Sequence, residues 1–277
     1  MARGLLLAGA LIVLVGIFDD RFEVDALTKF AGQVAAAGIF IMHGIQLYVI
    51  PLPTGESLSL PPTYGVPLTV FVVVATINAV NFIDGLDGLA AGVVGIAALA
   101  LFSYAYLLSY TNGFTTLTGA TLTAAILFGI CAGFLPHNFN PARIFMGDTG
   151  SMLIGLLLSA STIMLTGQFD AAVIGAYQLF PFYVPLLLVP AVAAVPFIDM
   201  LLAVWRRTNQ GRSPFSPDKQ HLHHRLLELG HSVRRAVLIM YFWVGLLAFS
   251  LVGLSLTGSA LLVASVTVTV ATGGLVA

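Results

Sequence analysis

Charge is what this sequence has least of. Asp, Glu, Lys and Arg make up 8% of its 277 residues, against roughly 25% in an ordinary soluble domain. Eleven basic and twelve acidic side chains, a net charge of −1, cannot cover the surface of a water-soluble globule of this size. A soluble enzyme, a disordered chain and a nucleic-acid binder that works by charge are excluded as first readings. Cysteine is rarer still. Cys131 stands alone, which excludes an intramolecular disulfide and any cysteine-based zinc or iron–sulfur centre. What is present is apolar: 58% of the residues, with a mean hydropathy of +1.00. The fold class expected is all-α, a polytopic transmembrane helical bundle.

A bilayer-spanning helix needs about 20 mostly apolar residues. Nine spans are expected: about Leu5–Phe18 with the residues just before it, Phe30–Ile50, Tyr64–Asn81, Leu89–Tyr110, Thr116–Leu135, Ser151–Thr166, Ala176–Trp205, Ala236–Leu256 and Ser259–Ala277. The seventh carries Pro181, Pro185, Pro190 and Pro196, so it should be kinked, with its freed carbonyls satisfied by neighbouring helices. No internal repeat is visible, and the longest connection, about Arg206–Arg235, is too short for a soluble domain. The first apolar run resembles a signal peptide but feeds straight into Phe18-Asp19-Asp20-Arg21 with no small-residue cleavage site. It reads as a retained helix. The abrupt start and finish lead us to expect an N-terminally incomplete chain.

Alternating the nine spans sorts the connections into two sets. Residues 51–63, 111–115, 167–175 and 257–258 hold Glu56 and Asp170 and no Lys or Arg. Residues 19–29, 82–88, 136–150 and 206–235 hold Arg21, Lys29, Arg143, Arg206, Arg207, Arg212, Lys219, Arg225, Arg234 and Arg235, ten of the eleven basic residues. The positive-inside rule makes this second face cytoplasmic.

The chemistry-bearing residues collect on the same face. Asp19 and Asp20 close the first span. Adjacent helical residues point about 100° apart, so the two should have different jobs, one aimed into a site and one supporting it; the plain alternative is that they merely end a helix. Asn78, Asn81, Asp84 and Asp87 are spaced by three, so each successive pair shares a helix face, and a tightened or unwound turn would bring more of them together. Gly85 and Gly88 permit such a turn. Two amides and two carboxylates are hard oxygen donors suited to Mg²⁺ shared with phosphate; the alternative is a polar contact between helices. Asp148 sits in Phe145-Met-Gly-Asp-Thr-Gly-Ser151. Thr149 or Ser151 could cap the sixth helix, or Asp148 could serve the metal, with Gly147 and Gly150 allowing close phosphate approach. Phe145 could stack on a nucleobase or anchor at the interface. His221, His223, His224 and Arg225, beside Lys219 and Arg212, look more like a diphosphate clamp than a metal site, with contact to anionic lipid heads as the alternative. Cys131 reads as packing.

Asp19-Asp20, Asn81-Phe-Ile-Asp84-Gly-Leu-Asp87-Gly-Leu, Phe145-Met-Gly-Asp148-Thr-Gly-Ser and His221-Leu-His-His224 together resemble the polyprenyl-phosphate N-acetylhexosamine-1-phosphate transferases, glycosyltransferase family 4. These integral membrane enzymes move a sugar-1-phosphate from a UDP-sugar to a polyprenyl phosphate, releasing UMP. The four motifs stand in the family's order, over essentially the whole chain. Leu222 interrupts the histidines, as in the branch that uses UDP-GlcNAc; the branch that uses UDP-MurNAc-pentapeptide has three in succession. The resemblance implies a single transferase domain over 1–277 that transfers GlcNAc-1-phosphate to undecaprenyl or decaprenyl phosphate, the first membrane step of a cell-envelope glycopolymer. It implies Mg²⁺, with Mn²⁺ as an alternative ion, held by Asp148 and Asn81. It makes Asp19, Asp20, Asp84 and Asp87 the catalytic carboxylates, with Asp19 as the best base. Lys29, Asn138, Phe145, His221, His223, His224 and Arg225 would bind substrate. The partners expected are the UDP-sugar, the lipid acceptor, the bacterial plasma membrane and, as one option, a second copy in a homodimer; no nucleic acid is expected. One departure from the family is that only about 18 residues precede Asp19, where relatives have further helices and a basic, Gly-containing loop.

Two other readings carry less. An ion-coupled transporter would place acids near the mid-membrane and often repeats internally; here Asp199 alone lies within an expected span. A CDP-alcohol phosphotransferase would need an Asp-Gly-x-x-Ala-Arg run, and Asp87-Gly-Leu-Ala-Ala-Gly92 lacks the Ala-Arg pair.

Overall fold

The structure, a computed structural model, describes residues 1–51, 57–112, 118–166, 185–187, 190, 232–257 and 259–276. Among them are eight helices: α1 (Ala2–Phe22), α2 (Ala26–Met42), α3 (Pro62–Ile83), α4 (Leu89–Asn112), α5 (Thr118–Asn138), α6 (Gly147–Thr166), α7 (Val233–Thr257) and α8 (Ala260–Val276). Six of these, α1 and α3 to α7, contain a stretch long and apolar enough to cross a membrane. The expected seventh span, Ala176–Trp205, lies outside the described residues except for 185–187 and 190, which are helical.

The second expected span is corrected. The apolar run continues to Ile50, but the helix stops at Met42 and is only 17 residues long. Gly44, at φ +80°, takes the chain out of the right-handed region, where a residue with a β-carbon would be strained. Val49–Pro51 then forms strand β1 and pairs antiparallel with β2, Ser57–Ser59, with Val49 opposite Ser59. This hairpin is an addition to the all-α expectation. Leu47 is buried and its amide donates to the Thr69 hydroxyl at 3.0 Å, so the segment is pinned against α3.

Helix α6 is the hub. It touches α1, α3, α4 and α5, and most of it is buried. Glycines let the neighbours come close. Gly4, Ala8, Ile12 and Gly16 form one buried stripe along α1, at the four-residue spacing that aligns side chains on a helix face. A β-carbon at Gly16 would collide with the backbone of Thr149 at the start of α6. One at Gly155 would lie 2.8 Å from the Ile77 Cα of α3. Small residues at such crossings are how membrane helices pack without a hydrophobic driving force between them. They bring the ends of α1, α3 and α6 to one end of the bundle. At the opposite end, a β-carbon at Gly4 would meet His43, so α1 and α2 run antiparallel.

Candidate active site

A three-residue turn starts the site. Glu23 caps α1 at φ 50°. Asp25 then caps α2, accepting bonds from the amides of Leu27 and Thr28, both at 3.0 Å, and from the Thr28 hydroxyl at 2.5 Å. Those bonds to Thr28 hold the Asp25 carboxyl below the usual carboxylate range. The tight reversal places the last turn of α1 beside the first turn of α2. Lys29 reaches back to Asp19, with Nζ 2.7 Å from Oδ2. The same ammonium lies 2.5 Å from Oδ2 of Asp148 at the start of α6. Asn81, in the last turn of α3, donates from Nδ2 to Asp148 Oδ1 at 2.9 Å and to the Ser151 hydroxyl at 3.0 Å. Four helices thus deliver Asp19, Lys29, Asn81 and Asp148 to one point.

The neighbouring aspartates of the first motif separate sharply. Asp19 faces Lys29. Asp20 instead receives the N-terminus of α6: the amides of Asp148 at 2.8 Å and Thr149 at 3.1 Å, and the Thr149 hydroxyl at 2.6 Å. It supplies the helix cap across the chain that Thr149 or Ser151 would otherwise have to supply locally, satisfying donors that every helix start leaves unpaired. Gly147, at φ +63° with Asp20 against it, makes that approach sterically feasible.

The four residues spaced by three do not share one face. α3 ends at Ile83 with Asp84 as its cap, and the chain unwinds through Gly88 at φ +83°. Asn78 points a layer deeper, where its amide donates to Gln33 Oε1 at 2.6 Å. Gln33 is one turn beyond Lys29 on α2 and is itself buried. Asp87 Oδ2 accepts from Asn140 Nδ2 at 2.9 Å and from the Ala142 amide at 3.0 Å, which ties the acid loop to the loop before α6. Asn138 is buried, with its oxygen accepting from the Gly88 amide and its Nδ2 donating to the Ile144 carbonyl, both at 3.0 Å. Its amide thus joins two loops, and the residue also lines the cavity at the site. The Asp84 carboxylate has no hydrogen-bond partner among the described residues, while its amide donates to the Asn81 carbonyl at 3.2 Å. Burial, then the charges of Asp148, Asp20 and Asp87, push its carboxyl up to about 6.

A cavity of about 320 Å³ opens over this arrangement, lined by Asn81, Asp84, Asp87, Phe145, Gly147 and Asp148 among others. That is near the lower end of small-molecule sites, roughly 300–1,000 Å³. Phe145 stands well exposed at its rim. His221, His223, His224 and Arg225 lie outside the described residues.

Residues 2–166, more than half of the chain and the part that carries the whole cluster, match the family described as Glycosyl transferase family 4. The chain belongs to this family. It is 46% identical over 247 residues to a decaprenyl-phosphate N-acetylglucosaminephosphotransferase of Mycobacterium tuberculosis (strain ATCC 25618 / H37Rv), covering 88% of this chain and 61% of the relative. A protein of the same description from Mycobacterium leprae (strain TN) is 45% identical over 247 residues, 88% of this chain and 62% of the relative. An undecaprenyl-phosphate alpha-N-acetylglucosaminyl 1-phosphate transferase of Escherichia coli (strain K12) is 30% identical over 252 residues, 88% of this chain and 63% of the relative. The chain therefore spans about three fifths of the length of these relatives.

Gln33, Asn140, Thr149 and Ser151 take part in the site although sequence reasoning gave none of them a role there beyond a local cap. A signal existed for Gln33: an amide in an apolar helix, four residues after the basic Lys29 and so on the same face. For Thr149 and Ser151 no local signal distinguishes a helix cap from a partner of another helix.

Proposed function

We propose that this protein transfers GlcNAc-1-phosphate from UDP-GlcNAc to a polyprenyl phosphate, giving the polyprenyl diphosphate-linked sugar and UMP. The observation that carries the proposal is the meeting of Asp19 and Asp148 on the single ammonium of Lys29, beside Asn81 and the open cavity. Two carboxylates from distant helices converging on one cation form a place where positive charge is wanted. Among the described residues no three acidic, histidine or cysteine side chains converge into a ready cage for a metal. Mg²⁺ does not require one: it keeps waters and shares one or two carboxylates with substrate phosphates. The donor set of hard oxygens at Asp148 and Asn81 fits that mode, and Mn²⁺ would accept the same ligands. When bound, the ion would neutralise charge building on the donor diphosphate.

The chain's own residues account for the rest. An oxygen of the lipid phosphate attacks the β-phosphorus of UDP-GlcNAc, and the bond from that phosphorus to the UMP oxygen breaks. Both reactants are anions, so alignment and charge neutralisation dominate the barrier. Lys29 offers the charge that draws in the acceptor phosphate, and in turning to it releases Asp19 to take a proton. Asp20 holds the start of α6, and with it the backbone of Asp148, in place. Asp84 is the free acid of the cavity, and Asp87 fixes the loop that carries it. Phe145 would stack on the uracil, and His221, His223, His224 and Arg225 would serve as a diphosphate clamp. Asn138 shapes the loops and, as part of the cavity lining, would offer its remaining N–H and lone pair to substrate.

The active face is the cytoplasmic face of the plasma membrane of a bacterial cell, a reading supported by the ten basic residues in one set of connections. Nine spans are consistent with that parity. The names of the 45–46% identical relatives favour a decaprenyl acceptor and GlcNAc over MurNAc-pentapeptide as the donor sugar. The test is release of UMP on adding UDP-GlcNAc, polyprenyl phosphate and Mg²⁺ to membranes containing the protein. Activity with UDP-MurNAc-pentapeptide and none with UDP-GlcNAc would overturn the substrate assignment, and inactivity with both would overturn the reaction.

A further inference from the structure

Helix α7 reaches across to two loops, the one before α6 and the one that carries Asp84 and Asp87. In its first turn, Arg234 Nε donates to the Asn140 carbonyl at 2.6 Å. Seven residues later, two turns along the same face, the Tyr241 hydroxyl donates to the Gly88 carbonyl. That carbonyl also accepts the Gly92 amide at 3.0 Å, the bond that opens α4. Both of its lone pairs are thus in use. The Tyr241 ring reaches it only because α4 has no β-carbon at Gly92, where one would collide with Tyr241 Cζ and the hydroxyl.

These bonds close a circuit. Gly88 is held at its amide by Asn138 and at its carbonyl by Tyr241. Asp87 is held by Asn140 and Ala142, and Asn140 in turn by Arg234. Among the described residues the carboxylate of Asp84, three residues before Asp87 in the same loop, has no bond that sets where it lies. Its position depends on how firmly its neighbours are tied. We infer that Tyr241 and Arg234 are positioning residues, which hold the Asp84–Gly88 loop in register with Asp148 so that Asp84 faces the cavity. Neither touches the reacting groups. The inference deepens the proposed function and rests on it only where activity is measured.

The decisive variant is Tyr241→Phe, which keeps the ring in the Gly92 notch and removes only the donor. In the metal-free protein, hydrogen exchange of the peptide covering residues 84–92 should quicken about five-fold, the worth of one ordinary hydrogen bond, while a peptide from α1 is unchanged. In the UMP-release assay the Mg²⁺ concentration for half-maximal rate should rise by a similar factor, with kcat at saturating Mg²⁺ within about two-fold of the wild type. Arg234→Lys keeps the charge but loses Nε, and should behave like Arg234→Gln. Exchange and Mg²⁺ dependence identical to wild type in Tyr241→Phe would overturn the inference and leave the tyrosine as filling for the notch. Full rescue by Arg234→Lys would overturn the role of its directed bond. A wild-type protein without UMP release would sink the proposed reaction, and the exchange measurement would still decide the tie.

Discussion

Replacing Asp20 by Ala removes the cap of a helix that begins 127 residues further along the chain, at Gly147. Three bonds vanish together: those from the Asp148 and Thr149 amides and from the Thr149 hydroxyl. Loss of a helix cap costs typically about 1 kcal/mol, and loss of the negative charge at a helix N-terminus adds about 0.3–1 kcal/mol. Asp20 is exposed, so water replaces part of the bonding, and roughly 1–2 kcal/mol is expected in all. For a chain of this size each kcal/mol moves Tm by about 2–4 °C, so a fall of roughly 2–8 °C should be seen in detergent. Asp20→Asn retains one acceptor oxygen and should lose less. Because the Asp148 amide is one of the groups released, the KM for the donor should rise in Asp20→Ala. Adding Mg²⁺ should recover part of the lost Tm, since ligand binding favours the ordered site. Differential scanning fluorimetry of the purified protein, with and without Mg²⁺, reads both effects. A variant that melts with the wild type and keeps its donor KM would refute the view that Asp20 builds the site through α6.

Other substitutions separate the roles further. Asp19→Asn should slow the chemical step by roughly 10²–10⁴-fold, the range for a lost general base, while UDP-GlcNAc binding survives; Asp148→Asn should alter both the Mg²⁺ dependence and donor binding, and the reverse pattern would exchange the two assignments. Asp84, with its carboxyl pushed up to about 6, keeps its proton more readily folded than unfolded. Its contribution to stability is therefore present below about pH 4, declines between there and pH 6, and is lost above. Thermal melts of metal-free protein should show Asp84→Asn more stable than wild type at pH 8, with the gap closing towards pH 4. Gly16→Leu should force α1 away from Thr149 and cost about 1–3 kcal/mol or more by overpacking, with both Asp19 and Asp20 withdrawn, so Tm and UMP release should fall together. Cysteines placed at Gly211 and Thr54 should label from opposite sides of the membrane, Gly211 from the cytoplasm; labelling from one side would remove the basis for a common active face.

The extent of the site that could be read in advance depended on how local its causes are. Membrane class follows from composition because apolar surface must be buried in lipid whatever the arrangement of helices. The boundaries of α3 to α7 fall within four residues of the spans expected from apolar runs, since a helix that satisfies its own backbone needs only its own residues. Asp19, Lys29, Asn81 and Asp148 could be picked out because a charged or amide side chain at a membrane edge is costly and rarely idle. That Asp19 and Asp20 would diverge was also legible, from helical geometry alone. Which of the two faces Lys29 was not. It depends on the rotation of α1 against α6, and that rotation is set by Gly16 lying on Thr149, a contact between residues far apart in the chain. The same holds for Asn78 and Asn81. Their spacing is that of one helix face, yet Asn78 meets Gln33 of α2 and Asn81 meets Asp148 of α6, because both helices pack on α3. Asn138 reads as a substrate ligand, and the cavity includes it; that its amide also joins the loops at Gly88 and Ile144 was decided only by the fold. A residue's chemistry is written in its side chain, but its partner is chosen by packing, and packing is a sum over contacts that no short stretch of sequence contains.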